Sequence, residues 1–292
     1  MTATPRGSTT ILLTTFALIA FAANSVLCRL ALGQQAIDAS AFTAIRICSG
    51  ALLLLTIFYL RYQKEGKASD AHGSWLSAGM LFMYAAPFSF AYLTLDTGTG
   101  ALILFGAVQI TMILAALLQG NKLHLLEWAG LIIAFGGFVY LVLPGVSAPP
   151  LEGFLLMSLA GVGWGLYTLR GKGSANPLGD TAFNFARAVP LALILLVFMI
   201  KQIQLSSTGV LLAVASGAIA SGLGYTIWYM ALRGLSTSQA AVVQLSVPII
   251  AAFGGVLFVA ESLTMRLTIA ALLILGGIGL VVLGRNKTNK VR

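Results

Sequence analysis

The chain has 292 residues, 59% of them hydrophobic and only 9% charged, with a mean hydropathy of +0.96. Soluble domains carry roughly 25% charged residues, so most of this surface faces something other than water and a soluble globular fold is excluded. The net charge of +9 does not point to nucleic acid, because the basic residues sit beside apolar runs, where they report topology first.

At the N-terminus, Arg6, an apolar run and Ala20-Phe21-Ala22 imitate a secretory leader with its cleavage site. Apolar character continues to about Leu32, so a retained first helix is expected over 10–32. Further runs predict helices over 40–61, 74–95, 98–119, 126–143, 153–170, 180–200, 209–232, 236–260 and 265–284. Runs of about 20 apolar residues are membrane-spanning in length. Barrel strands would alternate apolar and polar residues; these runs are continuous, so the fold class is an all-α membrane protein of about ten transmembrane helices. Cys28 and Cys48 lie inside apolar runs without metal or redox spacing and read as small buried residues.

The connections are short. The longest, near 62–73, holds Lys64, Glu65, Lys67 and Asp70, and none is large enough for a soluble domain. Arg6, Arg61, Lys64, Lys67, Lys122, Arg170, Lys172, Arg233, Arg285, Lys287, Lys290 and Arg292 all fall on one side under a ten-helix count. Lys201 and Arg266 fall on the other. The bias places both termini in the cytoplasm.

The halves echo each other. Ala41, Phe42 and Arg46 recur as Ala182, Phe183 and Arg187, an offset of about 141. Tyr92 through Leu95 recurs as Tyr229 through Leu232, and Gly136-Gly137 recurs as Gly276-Gly277. This predicts two five-helix repeats, 1–145 and 146–292, in one integrated transmembrane domain. An odd number of helices per repeat inverts the second in the membrane, and inverted repeats are the architecture of many secondary transporters, with the substrate site between the halves near the midplane. The competing reading is a duplication kept for stability alone.

These features resemble the drug/metabolite transporter superfamily, in its EamA-type branch of duplicated five-helix units. The resemblance rests on Trp164-Gly165, Tyr229 through Leu232, Ala240-Ala241 leading to Pro248, Glu261, and Gly276-Gly277. The first half departs from the pattern: Ala23-Asn24 stands where Trp-Gly would be, Val108 where the proline would be, and Asn121 where the glutamate would be. Within the superfamily the chain is most similar to the YddG-type amino-acid exporters. The resemblance implies export of amino acids, aromatic and other neutral ones, or of similar small metabolites across the bacterial inner membrane. Drug and nucleotide-sugar transporters share the architecture and remain alternatives.

Ionisable residues inside a bilayer are costly and each is a functional candidate. Arg29, Arg46 and Arg187 qualify. Arg46 and Arg187, at repeat-equivalent positions, are candidates for gating or for guiding a substrate carboxylate; snorkelling to the interface is the competing reading. The acids and both histidines fall in loops or at helix ends, which argues against a buried carboxylate relay. Near helix midpoints stand Asn24, Tyr84, Gln109, Trp164, Tyr167, Tyr225, Trp228 and Gln244. Buried amides need partners inside the protein, and Trp164 with Tyr167, like Tyr225 with Trp228, shares a helix face at i, i+3. Together they are expected to line a substrate cavity; core packing is the alternative.

Pro87, Pro190 and Pro248 are expected within helices, and Gly161 with Gly165 makes a close-contact face. An embedded lipid-modifying enzyme would need clustered acids or metal-spaced ligands, and a channel would need a filter; neither pattern occurs. No catalytic residue, cofactor or metal is called for. The expected partners are a small-molecule substrate and membrane lipids. A monomer is compatible with the sequence, which leaves the oligomeric state open.

Overall fold

The computed structural model describes residues 7–65, 72–120, 124–145, 148–171, 174–235 and 237–289. Arg6, Lys67, Asp70, Asn121, Lys122, Lys172, Lys290 and Arg292, which entered the sequence reading, lie outside them.

The described residues are helical almost throughout: α1 Gly7–Gly33, α2 Ala39–Glu65, α3 Trp75–Ala91, α4 Thr97–Leu118, α5 Leu125–Val142, α6 Leu151–Gly171, α7 Pro177–Phe198, α8 Ser207–Val214, α9 Gly224–Leu232, α10 Thr237–Gln244, α11 Val247–Val259 and α12 Met265–Asn289. A π-helical segment, Ala215–Leu223, joins α8 to α9, so Ser207–Leu232 is one span. With α10 and α11 forming another, these twelve helices make the ten expected segments. Among the described residues, eight segments are long and apolar enough to cross a bilayer by themselves. The shorter α3, and α6 with its five glycines, Glu152 and Arg170, pack against each other.

The surface confirms the solvent. Leu118, Phe198, Leu257, Leu52, Ile132 and Phe135 are all exposed, in keeping with a bundle turned outward to lipid. With no aqueous partner there, helices satisfy their own backbone groups.

The packing partners are exchanged in pairs between the two halves. α2 packs on α7 and α5 on α12. α3 packs on α6 as α9 packs on α1, and α4 on α6 as α11 on α1. The halves also run in opposite directions. The start of α1 lies beside the α9–α10 turn, where a Cβ on Gly234 would meet Thr10. The start of α6 lies beside the α3–α4 connection, where a Cβ on Gly153 would meet Thr94 and Leu95. Gly161 and Gly165 seat α6 against Ala107 and Thr111 of α4, the close approach expected of them.

Proline placement needs one correction. Pro87 and Pro190 lie inside helices, but Pro248 does not interrupt a continuous one. It stands in the first turn of α11, after a break at Leu245–Ser246. That position suits proline, because its missing N–H is one the helix start leaves unpaired.

Candidate functional site

Halfway along the bundle, α1, α2, α3, α6, the π-segment and α9 converge on a polar centre walled by aromatic rings. Asn24 of α1 is 2% exposed. Its Nδ2 donates to Tyr84 Oη and to Ser221 Oγ, both at 3.2 Å. Its Oδ1 accepts from Ser216 Oγ at 2.5 Å. The π-segment makes this pairing feasible: five residues along an α-helix turn about 140° past alignment, whereas the wider π-turn brings i and i+5 together.

Arg46 of α2 enters the same network and is 1% exposed. Its Nη2 donates to Tyr84 Oη at 2.6 Å and to Tyr225 Oη at 3.3 Å, and its Nε donates to Ser221 Oγ at 3.2 Å. The guanidinium carbon lies 4.7 Å from the Phe88 ring centre and 5.0 Å from that of Tyr84, within cation–π range. Nη1 has no partner among the described residues. No carboxylate among them pairs with Arg46; the ion pairs there are both made by Arg29.

In front of this network lies a cavity of about 10 Å³ lined by Phe21, Asn24, Tyr84, Phe88, Leu104, Phe105, Trp164 and Tyr225. That holds about one water. The Trp164 ring lies tilted against Tyr225, centroids 4.5 Å apart, and against Tyr84 at 5.2 Å. Phe21 meets Trp164, Tyr225 and Trp228 edge-on at 5.6–5.9 Å.

The two ends of the bundle differ. At the α1–α2 end, Arg29 Nε meets Glu261 at 3.1 Å, Nη2 meets Asp96 at 3.4 Å, and Nη1 donates to Tyr92 O at 3.1 Å. Glu261 also accepts from Thr97 N at 2.9 Å. Ala260, at φ 58, turns the chain so that Glu261 N returns to Gly255 O. Beside this cluster, Ile37 and Leu205 form a β-bridge and Asp38 accepts from Gln204 N at 3.0 Å. At the α2–α3 end a cavity of about 320 Å³ opens, lined by His72, Ser77, Tyr167, Arg170, Asp180, Asn184 and Tyr229 among others. Trp164 and Tyr167, in tilted contact at 5.6 Å, separate this vestibule from the central cavity.

The structure thus brings Asn24, Tyr84, Trp164, Tyr225 and Arg46 into one cluster and puts Trp228 beside it, 1% exposed with Nε1 unpartnered among the described residues. Tyr167 belongs to the vestibule. Gln109 is buried one turn beyond Phe105 and does not line the cavity. Gln244 is buried but donates to Ala240 O of its own helix at 3.3 Å. Arg187 is half-buried and bonds Phe183 O of its own helix, so it does not join Arg46. Ser216, Ser221, Phe21 and Phe88 were missed. The Ser-x4-Ser spacing beside glycines was the only available signal for the serines.

This bundle, with a polar centre between halves of opposite direction, has the architecture of a multi-pass membrane transporter. Residues 151–283 match the EamA-like transporter family. An uncharacterized protein of Pseudomonas aeruginosa is 52% identical over 94% of this chain and 95% of its own length. The uncharacterized transporter YoaV of Bacillus subtilis is 20% identical over 81% of this chain and 85% of its own. An uncharacterized transporter of Archaeoglobus fulgidus is 27% identical over 64% of this chain and 68% of its own. A solved crystal structure superposes with a TM-score of 0.61 at 18% identity, covering 92% of this chain and 97% of the other. The chain belongs to the EamA-like transporter family, within the drug/metabolite transporter superfamily. Family and relatives point to a transporter rather than an enzyme.

Proposed function

We propose that this transporter exports amino acids, aromatic and other neutral ones, or similar small metabolites across the bacterial inner membrane by alternating access between two repeats, 1–145 and 146–292. One observation carries the reading: the polar centre is closed off at the Arg29 end and faces a 320 Å³ vestibule at the other. Arg61, Lys64, Arg170 and Arg233 gather at the vestibule end, whereas Lys201 and Arg266 stand at the opposite one. By the positive-inside rule the vestibule is cytoplasmic. Solute enters there, passes the Trp164–Tyr167 pair and reaches Asn24, Tyr84 and Tyr225 once the rings part. The outer seal then opens. A nucleotide-sugar fits less well, because its two phosphates would meet one central guanidinium.

The test is uptake by proteoliposomes of the purified full chain, with labelled neutral and aromatic amino acids, with and without a proton gradient. Saturable uptake independent of the gradient is expected. Trp164→Ala should lower it about tenfold, the scale of one lost aromatic contact. Absence of uptake across the panel overturns amino-acid export.

A further inference from the structure

We infer that the central site recognises one carboxylate group through Arg46 and has no place for an ammonium. This narrows the transport reading from amino acids to the similar small metabolites it also names, and rests on it for the statement that the ligand is carried.

A guanidinium taken out of water needs a compensating charge nearby or it remains costly. Arg46 is 1% exposed, yet its three partners are neutral hydroxyls. Those oxygens supply acceptors without supplying charge. Nη1 has no partner among the described residues. That unfilled group is a donor. The complementary ligand brings acceptor oxygens and a negative charge, which a carboxylate does in the planar form that a guanidinium matches best.

The absence of acids decides the rest. No acidic residue lines the cavity, and Glu261 and Asp96 at the far end are held by Arg29. An ammonium in the centre would find no acid to pair with and would lie beside the guanidinium, and like charges at short range repel. With a single cation the site balances a monoanion and leaves a phosphate monoester half-neutralised. The rings of Phe21, Trp164 and Tyr225 favour an aromatic or branched apolar body. The fitting class is therefore the monocarboxylate: the acid analogues of neutral amino acids without the amine.

The probes are hydrocinnamate, its amide, phenylalanine and phenethylamine, which share a phenyl body and differ in charge. Binding to the purified full chain in detergent is read by tryptophan fluorescence. Hydrocinnamate is expected to bind at least about tenfold more tightly than its amide or phenylalanine, the scale of a charge-assisted hydrogen bond, and phenethylamine is expected not to compete. This comparison needs no variant. Arg46→Gln should abolish the preference for acid over amide, and Tyr84→Phe, which keeps the guanidinium, should retain most of it. Equal or tighter binding of the amide, phenylalanine or the amine overturns the inference, as does failure of hydrocinnamate to bind. Arg46-dependent hydrocinnamate binding without flux of any solute into vesicles would sink the transport reading and leave the anion site standing. Amino-acid flux unaltered by Arg46→Gln would do the reverse.

Discussion

Asn24 ties α1 to α3 and to the π-segment through a single amide that uses both its donor and its acceptor ends. Replacing it with alanine removes three bonds at once and leaves Ser216, Ser221 and Tyr84 short of partners in a dry centre. Asn24→Ala should cost about 1–2 kcal/mol, within the range measured for polar contacts between membrane helices. Gln244→Ala is the matched control: an equally buried amide that, among the described residues, bonds back to Ala240 O alone, so its loss should cost less. Thermal unfolding of both variants in detergent ranks them; equal midpoints would mean the Asn24 network contributes nothing to stability. The rule that selected both residues, a polar group near a helix midpoint, is sound about burial. Asn24, Gln109 and Gln244 are all buried. It says nothing about which face meets the centre, since rotation of one helix against its neighbours is set by packing. Arg46 and Arg187 illustrate the same limit: repeat-equivalent in sequence, they differ in burial and in every partner.

Among the elements, the paired glycines of α5 and α12 show a division of labour that the sequence displays only as repetition. A Cβ on Gly136 or Gly276 meets nothing within 4 Å. A Cβ on Gly137 would lie 2.8 Å from Ile274, and one on Gly277 would lie 2.5 Å from Gly130 O. The second glycine of each pair lets α5 and α12 approach closely, whereas the first is free to change. Gly137→Ala and Gly277→Ala should therefore cost about 1–3 kcal/mol by overpacking. Gly136→Ala and Gly276→Ala should be neutral, or stabilise by up to about 1 kcal/mol through helix propensity. Unfolding midpoints for the four variants check the pattern, and a loss at Gly136 matching that at Gly137 would refute it. Helix number and most boundaries were legible because length and hydropathy depend on the lipid. The π-segment and the break before Pro248 were not, because both are decided by neighbours: Gly217 lies against the Arg46 carbonyl, where no Cβ fits.

At the scale of the whole molecule, the two ends use related parts with unequal strength. At the repeat offset of about 141, Arg29 corresponds to Arg170, and Asp38 lies close to the counterpart of Asp180. Each acid reaches across to the other half: Asp38 accepts from Gln204 N, and Asp180 from His72 N and Gly73 N. The arginines differ. Arg29 holds Glu261 and Asp96, whereas Arg170 meets Ser77 Oγ at 3.3 Å and no acid among the described residues. Asp96 is 55% exposed and adds little; Glu261, at 13%, is the stronger tie. A charged seal at one end and a neutral contact at the other bias the resting state toward the vestibule side, and Glu261→Gln should relax that bias. Cys28 offers a native reporter, fully buried one residue before Arg29. In a Cys48→Ser background it should resist a membrane-impermeant thiol reagent applied from the side opposite the vestibule. Adding Glu261→Gln should speed its labelling about tenfold or more, the scale of one charge-assisted hydrogen bond lost from the closed state. Unchanged labelling would mean that the Arg29 cluster braces α11 and α12 without gating. Packing of α1 on α11, where Gly254 sits against Val26, would then be the next contact to vary.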